Sequence, residues 1–393
     1  MPYPAIGGDR SRTFHFIRAL AQAGHETHLL TFDTAAGEPR VAPELRRHLA
    51  SCRVIALPAA LSALQAFGAL AGRRPMQVAY YDSPRMSEAL GEALARIRPD
   101  VVYTHLFRMA PYSLESMPGH PAAWVLDLTD VISSEIRRSL PYRQGPDRWL
   151  FAVEGERIAR YEKLVAPRFD RCWVISDAES LTLAAMAPGA RIEVVPIGVE
   201  GNGRARGGER PEATILFFGY QKIAHNRDAA RFLAREILPV VRRSVPNVVL
   251  EIAGQGSGSL GGWARGPGIR NVGFVANPDD AFARATVFVA PLRFGAGVQT
   301  KVLQALDAGV PVVTTPLVRE GLNPVPGDVL RVGSTQEEIA AHVIELIRNP
   351  HAAAAMGERG RAWVRERFRW EYAVRAFEQA AGERNHEAAL MPS

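Results

Sequence analysis

Cysteine is scarce in this chain, which carries only Cys52 and Cys172. Each lies in an apolar run, and neither belongs to a pattern of metal-ligand spacing. Two isolated cysteines exclude a disulfide framework and are typical of a reducing compartment. We therefore expect two buried structural thiols and no metal site.

Long apolar runs are also missing. No stretch approaches the roughly 18 consecutive apolar residues that a membrane-spanning helix needs. The first residues lack the charged-then-apolar layout of a signal peptide. We expect a cytoplasmic protein, and leave open peripheral contact with the inner face of the membrane.

A concentrated basic stripe is absent, although the net charge is +6. The basic residues are spread along the chain and interleaved with acids, whereas a nucleic-acid binder usually collects them on one face. We expect no nucleic-acid partner. An anionic small molecule or a membrane surface fits this charge better, and arginine favours phosphate.

Short apolar runs rich in Val, Ile and Leu recur throughout the 393 residues. They show little alternation, as expected of strands that are covered on both faces, and helical patterns such as 229–244 separate them. This alternation predicts an α/β fold with two doubly wound, Rossmann-like parallel sheets. The predicted strands are 26–32, 52–57, 101–106, 124–128, 172–176, 192–196, 215–219, 248–254, 271–275, 287–292, 311–315 and 329–332.

The chain divides at a Gly-rich, charged stretch around residues 198–211. We predict a first domain at 1–198, a linker at 199–211 and a second domain at 212–367. An aromatic-rich helix at about 356–381 is predicted to bring residues 368–393 back onto the first domain. The chain opens on a glycine loop with no preceding strand. Either the first domain lacks one strand or the true start lies upstream, and we favour the upstream start.

The most informative segment spans residues 287–315 and has the pattern strand, Gly-rich loop, helix, turn, strand. Gly295 and Gly297 let main-chain N–H groups approach a ligand closely. A helix beginning near Gln299 directs its unpaired N–H groups at that ligand, and Lys301 adds a full charge. This combination suits a diphosphate. A tight turn with a solvated lysine is the alternative.

Several segments together resemble glycosyltransferase family 4, whose members adopt the GT-B fold. The resemblance covers nearly the whole chain and is specific for the fold and the broad activity, but it does not specify the sugar. The matching segments are 195–199, 217–229, 246–254, 287–315 and Glu320-Gly321-Leu322.

The resemblance implies a glycosyltransferase that binds a nucleotide diphosphate-sugar in its second domain and a hydroxyl acceptor in its first. Members typically retain the anomeric configuration and use no bound metal, and the sugar nucleotide is a co-substrate, so no cofactor is expected. Lys301, with Lys222 or Arg227, would stabilise the leaving diphosphate. Further donor contacts are expected from Gly219, Phe294, Gly295, Ala296, Gly297, Val298, Gln299, Thr300, Gln304 and Glu320.

The sequence departs from the family pattern where many members carry two glutamates with seven residues between them. Ala296 and Gln304 occupy those positions here. Gln304 can still bond ribose hydroxyls through its amide, although without charge. An inactive relative that binds another transferase therefore stays open, as does a nucleotide-sugar epimerase of similar architecture.

The first domain offers further candidate residues, and the first two groups come by resemblance. Gly7 and Gly8, followed by Arg10, resemble the family's glycine loop, and a flexible terminus is the alternative. His105 ends a predicted strand where members carry a histidine near the transferred sugar, and a structural histidine is the alternative.

Asp127 and Asp130 follow the next strand. They would bind acceptor hydroxyls, orient a base or cap the following helix. Glu162 is a candidate acceptor contact, whereas Ser176 and Asp177 favour the start of a helix.

The segment 57–81 is apolar, then basic, then aromatic. It fits either an amphipathic element that touches a membrane or lipid-linked acceptor, or a core helix followed by a loop. We favour the core helix. The acceptor itself stays open among a glycan, a lipid-linked glycan and a small molecule.

Overall fold

The structure is a computed structural model that describes residues 1–3, 8–33, 41–200, 212–275, 277–295, 297–322 and 324–390, without the side chains of 259 and 384–390. Gly7, Ala296 and residues 201–211 of the predicted linker lie outside this description. The chain divides into two compact units, Met1–Gly198 with Trp370–Ser393, and Val199–Arg369.

All twelve predicted strands are present, and each end lies within two residues of its prediction. They are β1 His28–Asp33, β2 Ser51–Ala56, β3 Val101–His105, β4 Ala123–Thr129, β5 Arg171–Val174, β6 Ile192–Val194, β7 Thr214–Phe218, β8 Val249–Ala253, β9 Ile269–Gly273, β10 Val287–Ala290, β11 Val312–Thr314 and β12 Arg331–Val332.

The α-helices alternate with the strands through most of the described residues. They are α1 Gly8–Gln22, α2 Pro43–Arg46, α3 Ala59–Gly68, α4 Met76–Tyr80, α5 Pro84–Ile97, α6 Ala110–Ser116, α7 Ile132–Ser139, α8 Gly145–Val165, α9 Asp177–Met186, α10 Ala224–Phe232, α11 Leu238–Ser244, α12 Pro278–Arg284, α13 Thr300–Asp307, α14 Pro316–Gly321, α15 Gln336–Arg348, α16 Pro350–Arg367 and α17 Trp370–Leu390. A π-helical segment, Leu233–Ile237, joins α10 to α11.

The first unit contains two sets of parallel strands, a pair β1-β2 and a sheet ordered β3-β4-β5-β6. Strand β4 is buried along its whole length, which explains its unbroken apolar pattern. Trp124 and Phe107 are fully buried in the core beside it. The carboxyl ends of β3 and β4 lie side by side, with His105 paired to Asp127.

The second unit contains one parallel sheet ordered β12-β11-β10-β7-β8-β9. Strands β7 and β10 are neighbours, and the order runs outward from them in both directions. This is the point at which the order of a doubly wound sheet reverses, where ligands bind beyond the carboxyl ends of the strands. The loops after β7 and β10 therefore flank the expected ligand position.

Two sequence predictions about helices are wrong. The predicted helix 356–381 is two helices, because α16 ends at Arg367 and α17 begins at Trp370. The Trp370 ring packs against Gly198, where a Cβ would lie 2.5 Å from it, and it stacks on His15. Anchoring this large ring within the first unit requires the chain to turn before α17.

The favoured core-helix interpretation of 57–81 is also wrong for α3. Leu61, Leu64 and Phe67 are exposed, whereas Ser62 and Ala66 are buried. The apolar residues of α3 outnumber the positions that its packing covers, so most of them face outward.

Candidate functional site

The loop after β10 has the geometry of an anion cradle. Gly295 and Gly297 adopt φ of 132° and 62°, which side chains other than glycine rarely tolerate. Helix α13 then begins at Thr300, and its N-cap Gln299 makes no side-chain capping bond. The first turn therefore presents main-chain N–H groups and the positive end of the helix dipole.

Lys301 is buried in the first turn of α13. Its Nζ donates to Asn226 Oδ1 at 2.7 Å and to Gln299 Oε1 at 2.8 Å. Burial lowers the pKa of Lys301 to about 7. The alternative of a solvated lysine is wrong, because the side chain is buried. Two neutral amides hold the ammonium, and no carboxylate of the described residues is bonded to it. A buried cation without an opposite charge is suited to receiving an anionic ligand.

Asn226 fixes the direction of that ammonium. Its Nδ2 donates to the Tyr220 carbonyl at 3.0 Å, which leaves Oδ1 turned toward Lys301. Gly219 permits this arrangement, since a Cβ there would lie 3.2 Å from the Asn226 side chain. Residues from the loops after β7 and β10 therefore meet at the switch point.

His225 completes the buried surroundings of Lys301. Its ring lies 6.3 Å from the Phe294 ring, edge to face, and a Cβ on Gly295 would touch it at 3.4 Å. Burial, together with the charge of Lys301, lowers the pKa of His225 to about 3. The imidazole is thus neutral at physiological pH, and Lys301 is the group in this pair that can carry a positive charge when an anion binds.

The other predicted donor residues lie around this centre at different depths. Val298 is buried, Gln304 and Thr300 are half-buried, and Glu320 is exposed. Gly321 lies under the loop, where a Cβ would meet the Gly297 carbonyl at 2.5 Å. Lys222 and Arg227 are exposed on the β7 side.

In the first unit, Asp127 is the centre of a buried polar cluster. Its Oδ2 accepts from Arg12 Nε at 2.8 Å and from the Tyr103 hydroxyl at 2.5 Å, and its Oδ1 accepts from Thr129 N at 2.8 Å. Burial alone would raise the pKa of Asp127, but Arg12, His105 and the Tyr103 bond together lower it. Asp127 is therefore a held carboxylate and does not cap a helix.

His105 extends this cluster at the end of β3. Its ring stacks on Tyr103 at 6.2 Å, with Nδ1 3.4 Å from the Tyr103 hydroxyl. Burial lowers the pKa of His105, so the neutral ring is favoured despite the nearby Asp127. Its buried Nε2 finds no hydrogen-bond partner among the described residues.

Backbone strain marks the same edge of the sheet. Leu106 and Thr129, which follow His105 and Asp127, have φ of 70° and 64°. Non-glycine residues in this region are uncommon and concentrate at functional sites. Strand β4 is also irregular between Asp127 and Thr129 in its pairing with β5.

Asp130 and Glu162 behave differently from each other. Burial and the carboxylates of Glu179, Glu135 and Asp9 raise the pKa of Asp130 well above its usual value, and its Oδ1 has no partner among the described residues. Glu162 is fully buried and accepts from Ile132 N and the Ser133 hydroxyl. It therefore anchors the start of α7. The prediction that Glu162 contacts an acceptor is wrong, because both of its oxygens are buried and bonded within the first unit.

Of the residues predicted to form the glycine loop, the structure describes Gly8 and Arg10. Gly8 begins α1 and is exposed, as is Arg10, whereas Asp9 lies 3.8 Å from Arg108 in an ion pair. Ser176 caps α9 through Glu179 N, as the sequence indicated.

The sequence missed four residues that organise these clusters. Asn226 and His225 stand in a segment that was recognised only for its resemblance, and Arg12 and Tyr103 were not singled out. The bond from Lys301 to Asn226 spans 75 residues and that from Arg12 to Asp127 spans 115. One weak sequence signal was available, because Asn226 is a polar residue that follows the Gly219 loop.

Other site classes find no support within the described ranges. No group of three His, Cys, Asp or Glu side chains there could hold a metal ion. No described helix is both long and apolar enough to cross a bilayer.

Comparison with known proteins identifies the two halves. Residues 7–198 match the family profile "Glycosyl transferase 4-like domain", and residues 212–349 match "Glycosyl transferases group 1". Glycogen synthase of Mycobacterium tuberculosis is 25% identical over 430 aligned positions, covering 96% of this chain and 91% of that protein.

Solved structures share the fold. Sucrose-phosphate synthase from Thermosynechococcus elongatus has a TM-score of 0.72 at 16% identity, covering 98% of this chain and 94% of that one. WaaG, a glycosyltransferase involved in lipopolysaccharide biosynthesis, has a TM-score of 0.64 at 15% identity, with 94% and 95% covered. Anabaena HepE in complex with UDP-glucose has a TM-score of 0.60 at 12% identity, with 93% and 100% covered. The predicted GT-B fold is confirmed.

Proposed function

This chain is a glycosyltransferase of the group 1 type, and we propose that it transfers a sugar from a nucleoside diphosphate-sugar to a hydroxyl acceptor with retained anomeric configuration. The observation that carries the proposal is the buried Lys301 ammonium beside the uncapped start of α13. Positive charge and N–H donors converge there at the switch point of the second sheet.

The leaving diphosphate is the group that needs stabilising. The bond between the anomeric carbon and the β-phosphate oxygen breaks, and negative charge develops on that oxygen. Lys301 and the N–H groups at the start of α13 are fixed before the reaction, so they stabilise this charge without reorganisation. In a retaining transfer the acceptor oxygen attacks from the leaving-group side, and its proton passes to the departing phosphate oxygen.

The same arrangement supports transfer without a bound metal ion. A metal would neutralise the diphosphate by charge, and Lys301 with the α13 dipole provides positive charge at the corresponding place. Solved complexes of Anabaena HepE with UDP and with UDP-glucose support a nucleoside diphosphate donor for a protein of this fold.

We assign the buried cluster of the first unit to hydroxyl recognition. His105 Nε2 is unpartnered among the described residues and neutral, so it can accept from or donate to a sugar hydroxyl. Asp127 is bonded to Arg12 and Tyr103, so we assign it the role of positioning these side chains and His105. Asp130, with its raised pKa, offers a protonated carboxyl that can donate.

Turnover across a panel of UDP-, GDP-, ADP- and TDP-sugars tests the proposal. Release of nucleoside diphosphate in the presence of an acceptor mixture is expected for one donor class. Lys301→Met should reduce kcat/KM by about a hundredfold or more, because removal of one preorganised charge donor costs that much. The exposed Lys163→Met is the control and should not change it.

Two results would contradict the proposal. Normal turnover in Lys301→Met would remove the leaving-group role. Absence of turnover and of nucleotide binding across the whole panel would favour the non-catalytic alternative, for which Ala296 and Gln304 are the sequence indications.

A further inference from the structure

Helix α3 has an inverted burial pattern. Its polar Ser62 is 1% exposed, whereas Leu61, Leu64 and Phe67 are 53%, 67% and 69% exposed. These three residues recur at intervals of three and therefore share one face. A helix that hides its hydroxyl and presents its largest apolar side chains to solvent has no stabilising reason to do so unless the face is covered in use.

The chemistry of the flanking chain extends this face. Residues 54–72 carry no charged side chain, and Arg73 and Arg74 follow immediately. Both arginines are exposed, and Arg74 pairs with Asp82 at 2.5 Å. Arg73 has no ion pair or hydrogen bond within the described part of the chain. An apolar face bordered by cations is the pattern of an interfacial helix.

The segments that follow α3 are bonded to α8 of the first unit. Arg157 donates to the Leu70 carbonyl at 2.6 Å, and Glu154 accepts from Met76 N at 2.6 Å. Both contacts come from α8, which also carries the exposed Trp149.

We propose that α3 docks on an anionic lipid surface, with Leu61, Leu64 and Phe67 inserted among the acyl chains and Arg73 at the headgroups. A second copy of the chain is the weaker occupant, because three side chains of one short helix supply much less than the roughly 800 Å² per partner of a stable protein interface. The uncompensated arginine also favours phosphate over another copy of the same basic face.

A membrane-docked first unit deepens the proposed function, on which this step rests: the acceptor would be a lipid-linked glycan presented at that surface. Vesicle binding needs neither donor nor turnover. Its outcome is therefore separate from the Lys301→Met result, and either proposal can fail alone.

Co-sedimentation with vesicles tests the docking. The full chain should bind vesicles of mixed phosphatidylcholine and phosphatidylglycerol, and should bind pure phosphatidylcholine more weakly. Leu61→Ser, Leu64→Ser and Phe67→Ser combined should reduce binding by at least about tenfold. Arg73→Glu with Arg74→Glu should reduce it by roughly tenfold on anionic vesicles only.

Leu181→Ser is the matched control, since Leu181 is a leucine outside α3 that is 74% exposed on α9. It should bind vesicles like the unchanged chain. Phe67→Ser alone provides a milder variant, and an unchanged thermal melt verifies folding.

Equal loss in Leu181→Ser, or full binding by the triple variant, would overturn the proposal. So would an absence of vesicle binding accompanied by a dimer that the triple variant dissociates, measured by light scattering.

Discussion

At the scale of single residues, the central feature is a lysine that has no carboxylate partner in the described part of the chain. Lys301 is bonded to two amide oxygens, from Asn226 and Gln299. Amides orient an ammonium without neutralising it, so its charge remains for the ligand. The cost of burying this charge appears in its lowered pKa of about 7.

Because Asn226 orients the Lys301 ammonium, we expect substitution of Asn226 to weaken donor binding. Asn226→Leu removes one acceptor of Lys301 and the tether to the Tyr220 carbonyl. We expect the donor Kd to rise about tenfold, since a bond to a charged group contributes roughly 1.5–3 kcal/mol. Isothermal titration with the preferred nucleotide-sugar measures this.

A matched control uses Asn247→Leu, an exposed asparagine of the same unit. Its Kd should not change. Equal Kd values for Asn226→Leu and the unchanged chain would show that Asn226 does not direct the ammonium.

The pKa of Lys301 predicts a pH dependence of donor binding. Below about pH 7 the free enzyme already carries the ammonium, whereas above it a proton must be taken up when the diphosphate binds. Affinity for a nucleotide-sugar should therefore fall as the pH rises above about 7, by up to tenfold per unit. Both phosphates of the sugar nucleotide are esterified, so the ligand does not titrate in this range.

Calorimetry in buffers of different ionisation enthalpy checks this prediction directly. Net proton uptake should appear above about pH 7 and vanish in Lys301→Met. His225, with a pKa of about 3, stays neutral throughout and cannot account for the uptake. Proton release, or no exchange, would contradict the assignment.

At the scale of elements, the donor loop is shaped by contact with the following helix. Gly321 at the end of α14 packs against the Gly297 carbonyl, which a Cβ would approach to 2.5 Å. Gly321→Ala should displace the loop and weaken donor binding about tenfold or more, without removing any ligand contact. Gly327→Ala, which meets nothing within 4 Å, should have no effect on the measured Kd.

The buried contact between Glu162 of α8 and the start of α7 predicts a second pH effect, on the stability of the fold. Burial raises the pKa of Glu162 to about 7, despite the bonds from Ser133 and Ile132. Since the unfolded value is 4.5, its protonation favours the folded state, and the free energy of unfolding declines from about pH 4.5 to 7. The contribution lost is at most about 3 kcal/mol.

Glu162→Gln should remove that decline. The melting temperature of the variant minus that of the unchanged chain should therefore increase as the pH rises from about 5 to 7.5. The exposed Glu156→Gln on the same helix should melt in parallel with the unchanged chain. A constant difference between Glu162→Gln and the unchanged chain would contradict the assigned titration.

The elements show what the sequence could and could not predict. The strands were predictable because buried parallel strands leave unbroken Val, Ile and Leu runs. Residue Ser176 was predictable as a cap because capping is local. The outward face of α3 was not, because an apolar pattern shows a need for burial without showing which neighbours are present.

At the scale of the whole molecule, the two units place their candidate groups by the same rule. His105 ends β3 and is paired with Asp127 near the end of the neighbouring β4, and the Gly219 and Gly295 loops follow neighbouring strands of the second unit. The rule that ligands bind at the carboxyl edge predicted the edge. Predicting which residues meet at that edge requires the order of the strands in the sheet, and the local sequence pattern does not contain this order.

The matches to both family profiles together span most of the chain and agree with this two-unit division. The sequence departs from the family pattern at Ala296 and Gln304. The donor panel therefore identifies the sugar nucleotide, and the vesicle experiment tests a lipid-linked acceptor.

A crystal structure with UDP bound tests the central claim most directly. We predict the β-phosphate within hydrogen-bond distance of Lys301 Nζ and of main-chain N–H groups at the start of α13, with Asn226 still bonded to the ammonium. A diphosphate bound elsewhere, with Lys301 still enclosed between Asn226 and Gln299 and the start of α13 empty, would contradict the account.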